Sequence, residues 1–189
     1  MDPLKIALIV AALLFVGAFW IYNRLVRSQM RTQEAWSGID VQLKRRADLV
    51  PNLVEAVKAY AAHERHTFEE VARARSAVHQ AQGPAQATDA NAKLTAALAR
   101  LFALVEAYPT LRASESFLNL QNELSDIEEK IAYARQFHNR NVLDYNTRIN
   151  TFPRIVIARL FAFQSFEFFE AEEPERAAVK VEFGGQEHN

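Results

Sequence analysis

The stretch FLNLQNELSDIEEKIAYARQFHNRNVLDYNTRINTF (Phe117–Phe152) decides the fold. Phe117, Leu120, Leu124, Ile127, Ile131, Ala134, His138, Val142, Tyr145, Ile149 and Phe152 recur in steps of three and four. That is the period of one face of an α-helix. No glycine or proline interrupts residues 110–152, so the spacing predicts a helix of up to about 60 Å at ~1.5 Å per residue. A helix of this length with one apolar stripe must bury that stripe against other helices, and the fold is expected to be all-α.

The same period runs upstream. Trp36, Ile39, Leu43, Ala47, Val50, Val54, Val57 and Ala61, then Phe68, Val71 and Val78, form one series, and Leu94, Leu98, Leu101, Val105 and Tyr108 form another. Breaks are expected at Pro109, at Pro153 and in the polar QAQGPAQATDA around Gly83-Pro84, with Thr88 or Asp89 capping the next helix. Pro51 lies inside an unbroken apolar period and reads as a kink or as a break between consecutive helices. Long helices joined by short breaks predict an antiparallel up-and-down four-helix bundle.

At the other end, Ile6–Tyr22 (IALIVAALLFVGAFWIY) is an uncharged apolar run. As a helix it is about 26 Å long, near the short limit for crossing a ~30 Å hydrocarbon core. Val16-Gly17-Ala18 could serve as a signal-peptide cleavage site, but the apolar run continues past it through Phe19, Trp20, Ile21 and Tyr22, which favours a retained anchor. Lys5, Trp20, Tyr22, Arg24 and Arg27 are the expected membrane-interface residues. The Lys and Arg excess after the run places the N-terminus outside and the rest of the chain in the cytoplasm. No strong stop follows Tyr22, so the anchor is expected to continue directly into the first bundle helix. The expected organisation is a short peptide over 1–5, a transmembrane helix over 6–22, a helical bundle over 23–175 and an extended tail over 176–189.

Composition narrows the chemistry. A net charge of −1 gives no basic field for nucleic acid, and the absence of cysteine removes disulfides, thiol nucleophiles and cysteine metal sites. His63 and Glu64 begin a zinc-protease motif, but Thr67 stands where its second histidine belongs. His63 and His66 could share a helix face, which is weak support for a metal-binding sensor or enzyme in the bundle interior. Lys44, Arg45 and Arg46 read as a solvated face, and His138 as a hydrogen-bonded core residue. Asn139, Asn146 and Asn150 lie on one stripe beside the apolar register and suggest a polar layer that fixes register, or a polar groove. No catalytic, cofactor or metal residue is assigned.

WSGIDVQLKRRADLVPNLVEAVKAYAAHE (Trp36–Glu64), Tyr108-Pro109, ARQFHNRNVLDYNTRINTFP (Ala134–Pro153), FFEAEE and VKVEF together resemble the LemA family of bacterial membrane proteins, in order and over nearly the whole chain. The resemblance implies one N-terminal transmembrane helix, an antiparallel four-helix bundle, an outer N-terminus and a cytoplasmic domain. It implies no reaction. His138 stands where the resemblance leads one to expect an aromatic residue, usually tyrosine.

The expected function is a scaffold or interaction module at the bacterial inner membrane. Its expected partners are the lipid bilayer and either another protein or further copies of the chain. Phe163, Phe166, Phe168 and Phe169, with Val179, Val181 and Phe183 of a strand-like VKVEF, form the candidate interaction surface.

Overall fold

Two long helices run side by side through the computed structural model, which describes residues 2–169. In chain order the helices are α1 (Pro3–Lys58), α2 (Arg65–Gln80), α3 (Gly83–Glu106), α4 (Pro109–Arg112), α5 (Glu115–Asn150) and α6 (Arg154–Leu160). The described residues contain no strand. At ~1.5 Å per residue α1 is about 84 Å long and α5 about 54 Å. The apolar run is the first third of α1, with no interruption before the packed part of the same helix. Its most apolar window has a mean hydropathy of 2.5 and no buried residue, so this helix is long and apolar enough to cross a membrane.

α1 and α5 are antiparallel and hold one register throughout. The Thr32 hydroxyl meets the Asn141 carbonyl at 3.4 Å, Trp36 meets His138 with ring centroids 5.9 Å apart, and Arg46 meets Glu128 at 2.6 Å. Leu25, Ser28, Thr32, Ala35, Ile39 and Leu43 form the buried seam of α1, and Ile131, His138, Val142, Tyr145 and Ile149 that of α5. Both seams take two four-residue steps in succession at about the same level, 35–39–43 on α1 and, counting the partly buried Ala134, 134–138–142 on α5. Such a double step locally unwinds a helical seam, and pairing the two lets the helices stay in contact across it.

Beyond Ile39, α2 folds back on α1, and α3 folds back on α2. Arg100 of α3 bonds Glu70 of α2, and this guanidinium holds the Glu70 carboxyl below the usual range. Val57, Val71, Leu94, Leu98, Leu101, Phe117 and Ile127 share the main core there. A smaller core of Leu25, Tyr145, Ile149 and Ala158 lies toward the apolar run. α5 begins at an N-cap, Ser114, whose hydroxyl accepts from the Phe117 amide.

Several local expectations change. α1 does not break at Pro51, although proline there removes the N–H that would bond the Ala47 carbonyl. Arg75 of α2 supplies the missing donor, its Nε 3.1 Å from that carbonyl. The chain turns instead at residues 59–64, where the sequence carries no strong stop and tertiary packing overrides propensity. α3 begins at Gly83, several residues before Thr88. Gly83 takes φ 78°, Pro84 occupies the first turn, and the Gln86 side chain accepts from the Gln82 amide. Phe152 falls outside α5 and is exposed, because the residue before a proline is driven out of helical geometry.

Arg46 is not on a solvated face. It is buried, and its guanidinium bonds Asn91 (2.7 Å) and Thr95 (3.0 Å) of α3 and Glu128 of α5. One charged group thus ties three helices together. Asn91 is also buried, while Glu128 remains partly in water.

The Pro51–Arg75 arrangement predicts coupling. Arg75→Met leaves a buried carbonyl without its donor and should cost about 1–3 kcal/mol. Pro51→Ala restores a helix N–H to the same carbonyl, so the Arg75→Met penalty should shrink by about 1 kcal/mol in that background. Chemical unfolding of the four proteins in detergent measures this cycle, and strict additivity would contradict it.

Candidate functional site: a main-chain groove

Asn139 and Asn146 lie two helical turns apart on α5, about 10.5 Å along its axis. Residues 163–169 run beside them, extended and antiparallel to α5. Asn139 Nδ2 donates to the Phe169 carbonyl (3.0 Å), and the Phe169 amide donates back to Asn139 Oδ1 (2.9 Å). Asn146 makes the same pair with Phe166, at 2.9 and 3.0 Å. Three extended residues cover roughly 9–10 Å, so the spacing of the two carboxamides matches the spacing of the two main-chain units. Each asparagine offers one donor and one acceptor in a fixed plane. Aspartate would lose the donor, and alanine would lose both. The segment thus gains sheet-like hydrogen bonds without a partner strand.

Side chains fill the space between α1 and α5. Phe161 and Phe163 pack on Tyr22, with centroids at 4.7 and 5.8 Å, and Phe166 packs on Tyr145 at 5.1 Å. Phe169 stacks on Trp36 at 6.0 Å and carries the Arg135 guanidinium 4.9 Å above its ring. The inward residues 163, 166 and 169 have the three-residue period of a polyproline-like ribbon, not the two-residue period of a strand. Phe169 is 3% exposed and Phe168 is 48% exposed. Of the candidate surface residues, Phe163, Phe166 and Phe169 therefore face their own chain and Phe168 faces water. Val179, Val181 and Phe183 lie outside the described residues, as does the strand-like VKVEF.

The asparagine stripe is resolved by this geometry. Asn139 and Asn146 neither fix helix register nor line an empty groove, since they hold a segment of the same chain. Asn150 instead bonds the Asn146 carbonyl at 2.8 Å. Trp36 and Arg135 were not assigned to any site from the sequence. Their role depends on Phe169 arriving from far along the chain, which no local pattern encodes.

The membrane-interface residues do not all come together. Lys5 pairs with Asp2 at 2.9 Å near the start of α1. Trp20 and Arg24 stack at 5.1 Å on the outer face, and Arg27 is exposed one turn further on. Tyr22 turns inward to the phenylalanines. His63 and His66 are exposed, and no group of three His, Cys, Asp or Glu among the described residues could hold a metal ion.

His138 is buried edge-on to Trp36 and leans on the Thr32 backbone, but neither ring nitrogen has a well-formed hydrogen bond among the described residues. The Tyr145 hydroxyl is likewise buried without a partner there. Burial pushes the His138 pKa down and the Tyr145 pKa up. Because the folded His138 pKa lies below the unfolded value near ~6.5, the unfolded chain takes the proton first. Stability is full above about pH 6.5 and declines as the pH falls from there toward the folded pKa. Thermal unfolding between pH 8 and pH 5 should show that decline, and His138→Phe should flatten it. An unchanged slope in the variant would count against His138 as its source.

Comparison with known proteins adds a family to this geometry. The chain is similar to the magnetosome protein MamQ of Magnetospirillum gryphiswaldense, 28% identical over an alignment that covers 78% of this chain. It spans 64% of that protein's length, less than two thirds. It is similar to magnetosome protein MamQ 2 of Paramagnetospirillum magneticum, 28% identical with 87% of this chain and 72% of that one covered. Protein LemA of Metamycoplasma hominis is 25% identical, with 93% and 83% covered. The model of the LemA family matches residues 35–183, most of the chain, and the protein belongs to that family.

Proposed function

We propose that this protein is a membrane-anchored, non-catalytic scaffold that joins copies of itself through the groove between α1 and α5. Residues 6–22 cross the bacterial inner membrane with the N-terminus outside. The rest of α1 then stands in the cytoplasm, where α1, α2, α3 and α5 act as one four-helix bundle.

The paired hydrogen bonds of Asn139 and Asn146 to the extended segment carry this reading. The carboxamides read only main chain, so the segment of a neighbouring copy satisfies them as well as the resident one does. Ala162, at the junction of α6 and that segment, takes φ 53°. A non-glycine residue in this region costs on the order of 1–2 kcal/mol. That strain is relieved if the segment swings out, and a strained hinge favours exchange between protomers. Anchoring in one membrane raises the local concentration of copies.

Asn139→Ala/Asn146→Ala tests the proposal. Alanine is the better helix former, so α5 should persist. The full chain in detergent should be oligomeric by light scattering, and the double variant should be monomeric with amide-exchange protection lost over residues 163–169. A monomeric wild-type chain, or a double variant that keeps both assembly and protection, would sink the reading. A reporter fused after Asn189 tests orientation separately. Alkaline phosphatase should be silent there and a cytoplasmic fluorescent protein bright, and the reverse pattern would invert the topology.

A further inference from the structure

A second, smaller site lies on the α1 surface just past the apolar run. Trp20, Arg24, Arg27, Ser28 and Arg31 of α1 and Arg148 of α5 enclose a cavity of about 190 Å³. Trp20, Arg24, Arg27 and Arg31 follow steps of four, three and four, so they form one stripe beside the buried seam, with Ser28 of that seam at its edge. Four arginines thus line one small space. Arg24 lies over the Trp20 ring. Arg24, Arg27 and Arg31 form no ion pair among the described residues. Arg148 donates Nε–H to Asp144 at 2.8 Å, which neutralises one charge of the four. Glu34 is the nearest acidic residue further along α1, where it lines the adjoining groove with Arg31.

Arginines without ion pairs that line one cleft raise the local concentration of anions, because a cleft lined by one sign of charge focuses field lines. A planar guanidinium fork suits phosphate oxygens in particular. The cavity has room for several water molecules, enough for a phosphate group.

A second set of residues fixes the level of this cavity. Phe152, Val156 and Leu160 are four residues apart along α6 and its approach, and all are exposed. Phe161 continues this apolar face and packs on Tyr22, next to the apolar run. The exposed Trp20 and this apolar face are of the kind that sits at the boundary between acyl chains and headgroups. The arginines begin one turn beyond it, at headgroup depth.

We propose that the Arg24/Arg27/Arg31/Arg148 cavity binds a phosphate group, presented at this depth by a phospholipid headgroup. The phosphate chemistry stands on the cavity alone, and only its lipid source rests on the membrane reading of residues 6–22.

The test uses the full chain in a neutral detergent, with far-UV circular dichroism confirming that each variant keeps its helices. One arm measures retention of phosphatidic acid over phosphatidylcholine by native mass spectrometry. The other measures binding of inorganic phosphate by calorimetry. The wild-type chain should retain phosphatidic acid selectively. Arg27→Gln and Arg148→Gln should each weaken retention about five-fold, the factor expected for one charge at a headgroup. Arg159→Gln removes a charge at the same level outside the cavity and should change retention little. Phosphate binding that falls with the same two variants supports the site. If phosphate binds so but phosphatidic acid is not retained, the phosphate site stands and its source is soluble. Equal losses in all three variants would show diffuse attraction and overturn the proposal, as would no selective binding of either probe. Failure of the chain to insert into phosphatidylcholine nanodiscs would strike the membrane reading and leave the phosphate arm to be judged by itself.

Discussion

Contact between α1 and α5 along a single seam constrains the rest of the molecule. α2 and α3 cover only the end of α1 beyond Ile39, and the smaller core around Leu25 and Tyr145 exists only because α5 reaches back toward the apolar run. The groove for residues 163–169 is the crease between these two helices, and the arginine cavity closes only when Arg148 arrives from α5. Ser28, Thr32 and Ala35 are small, which allows the close approach there.

Polar groups in that seam do more than tolerate burial. Apolar stripes alone would let two long helices slide by a heptad at modest cost. Arg46 can meet Asn91, Thr95 and Glu128 together in one register only. Thr32 bonds the Ser28 carbonyl of its own helix and reaches Asn141 on the other. A slipped pairing would leave the Arg46 guanidinium buried without its partners, a penalty of several kcal/mol. Specificity of register is the natural role for such a costly residue.

The helices were legible in the sequence, because a three-four apolar period over many turns has few other solutions. Phe117 to Ile149 occupy the helix and the stripe that the pattern implied. Helix ends were less legible. Pro51 is the strongest local breaker in its segment, yet a donor from another helix makes it harmless, and the turn at 59–64 exists because α2 must fold back. Arg46 could have been found: Ile39, Leu43, Arg46, Val50, Leu53 and Val57 form a stricter repeat than the one that passes through Ala47. The groove could not, since Asn139 and Asn146 reveal their spacing in the sequence but not that a segment twenty to thirty residues later lies across them.

The absence of a hinge between the apolar run and the rest of α1 has a mechanical consequence. The part of α1 beyond Tyr22 is roughly 54 Å long at ~1.5 Å per residue. Spanning helices tilt to match bilayer thickness, by about 20° on average. A rigid lever of that length carries its tip sideways by roughly 18 Å for a tilt of that size. On the proposed reading, in which residues 6–22 span the bilayer, thinning or thickening of the bilayer would become lateral travel of the α1–α2 turn, far from any lipid.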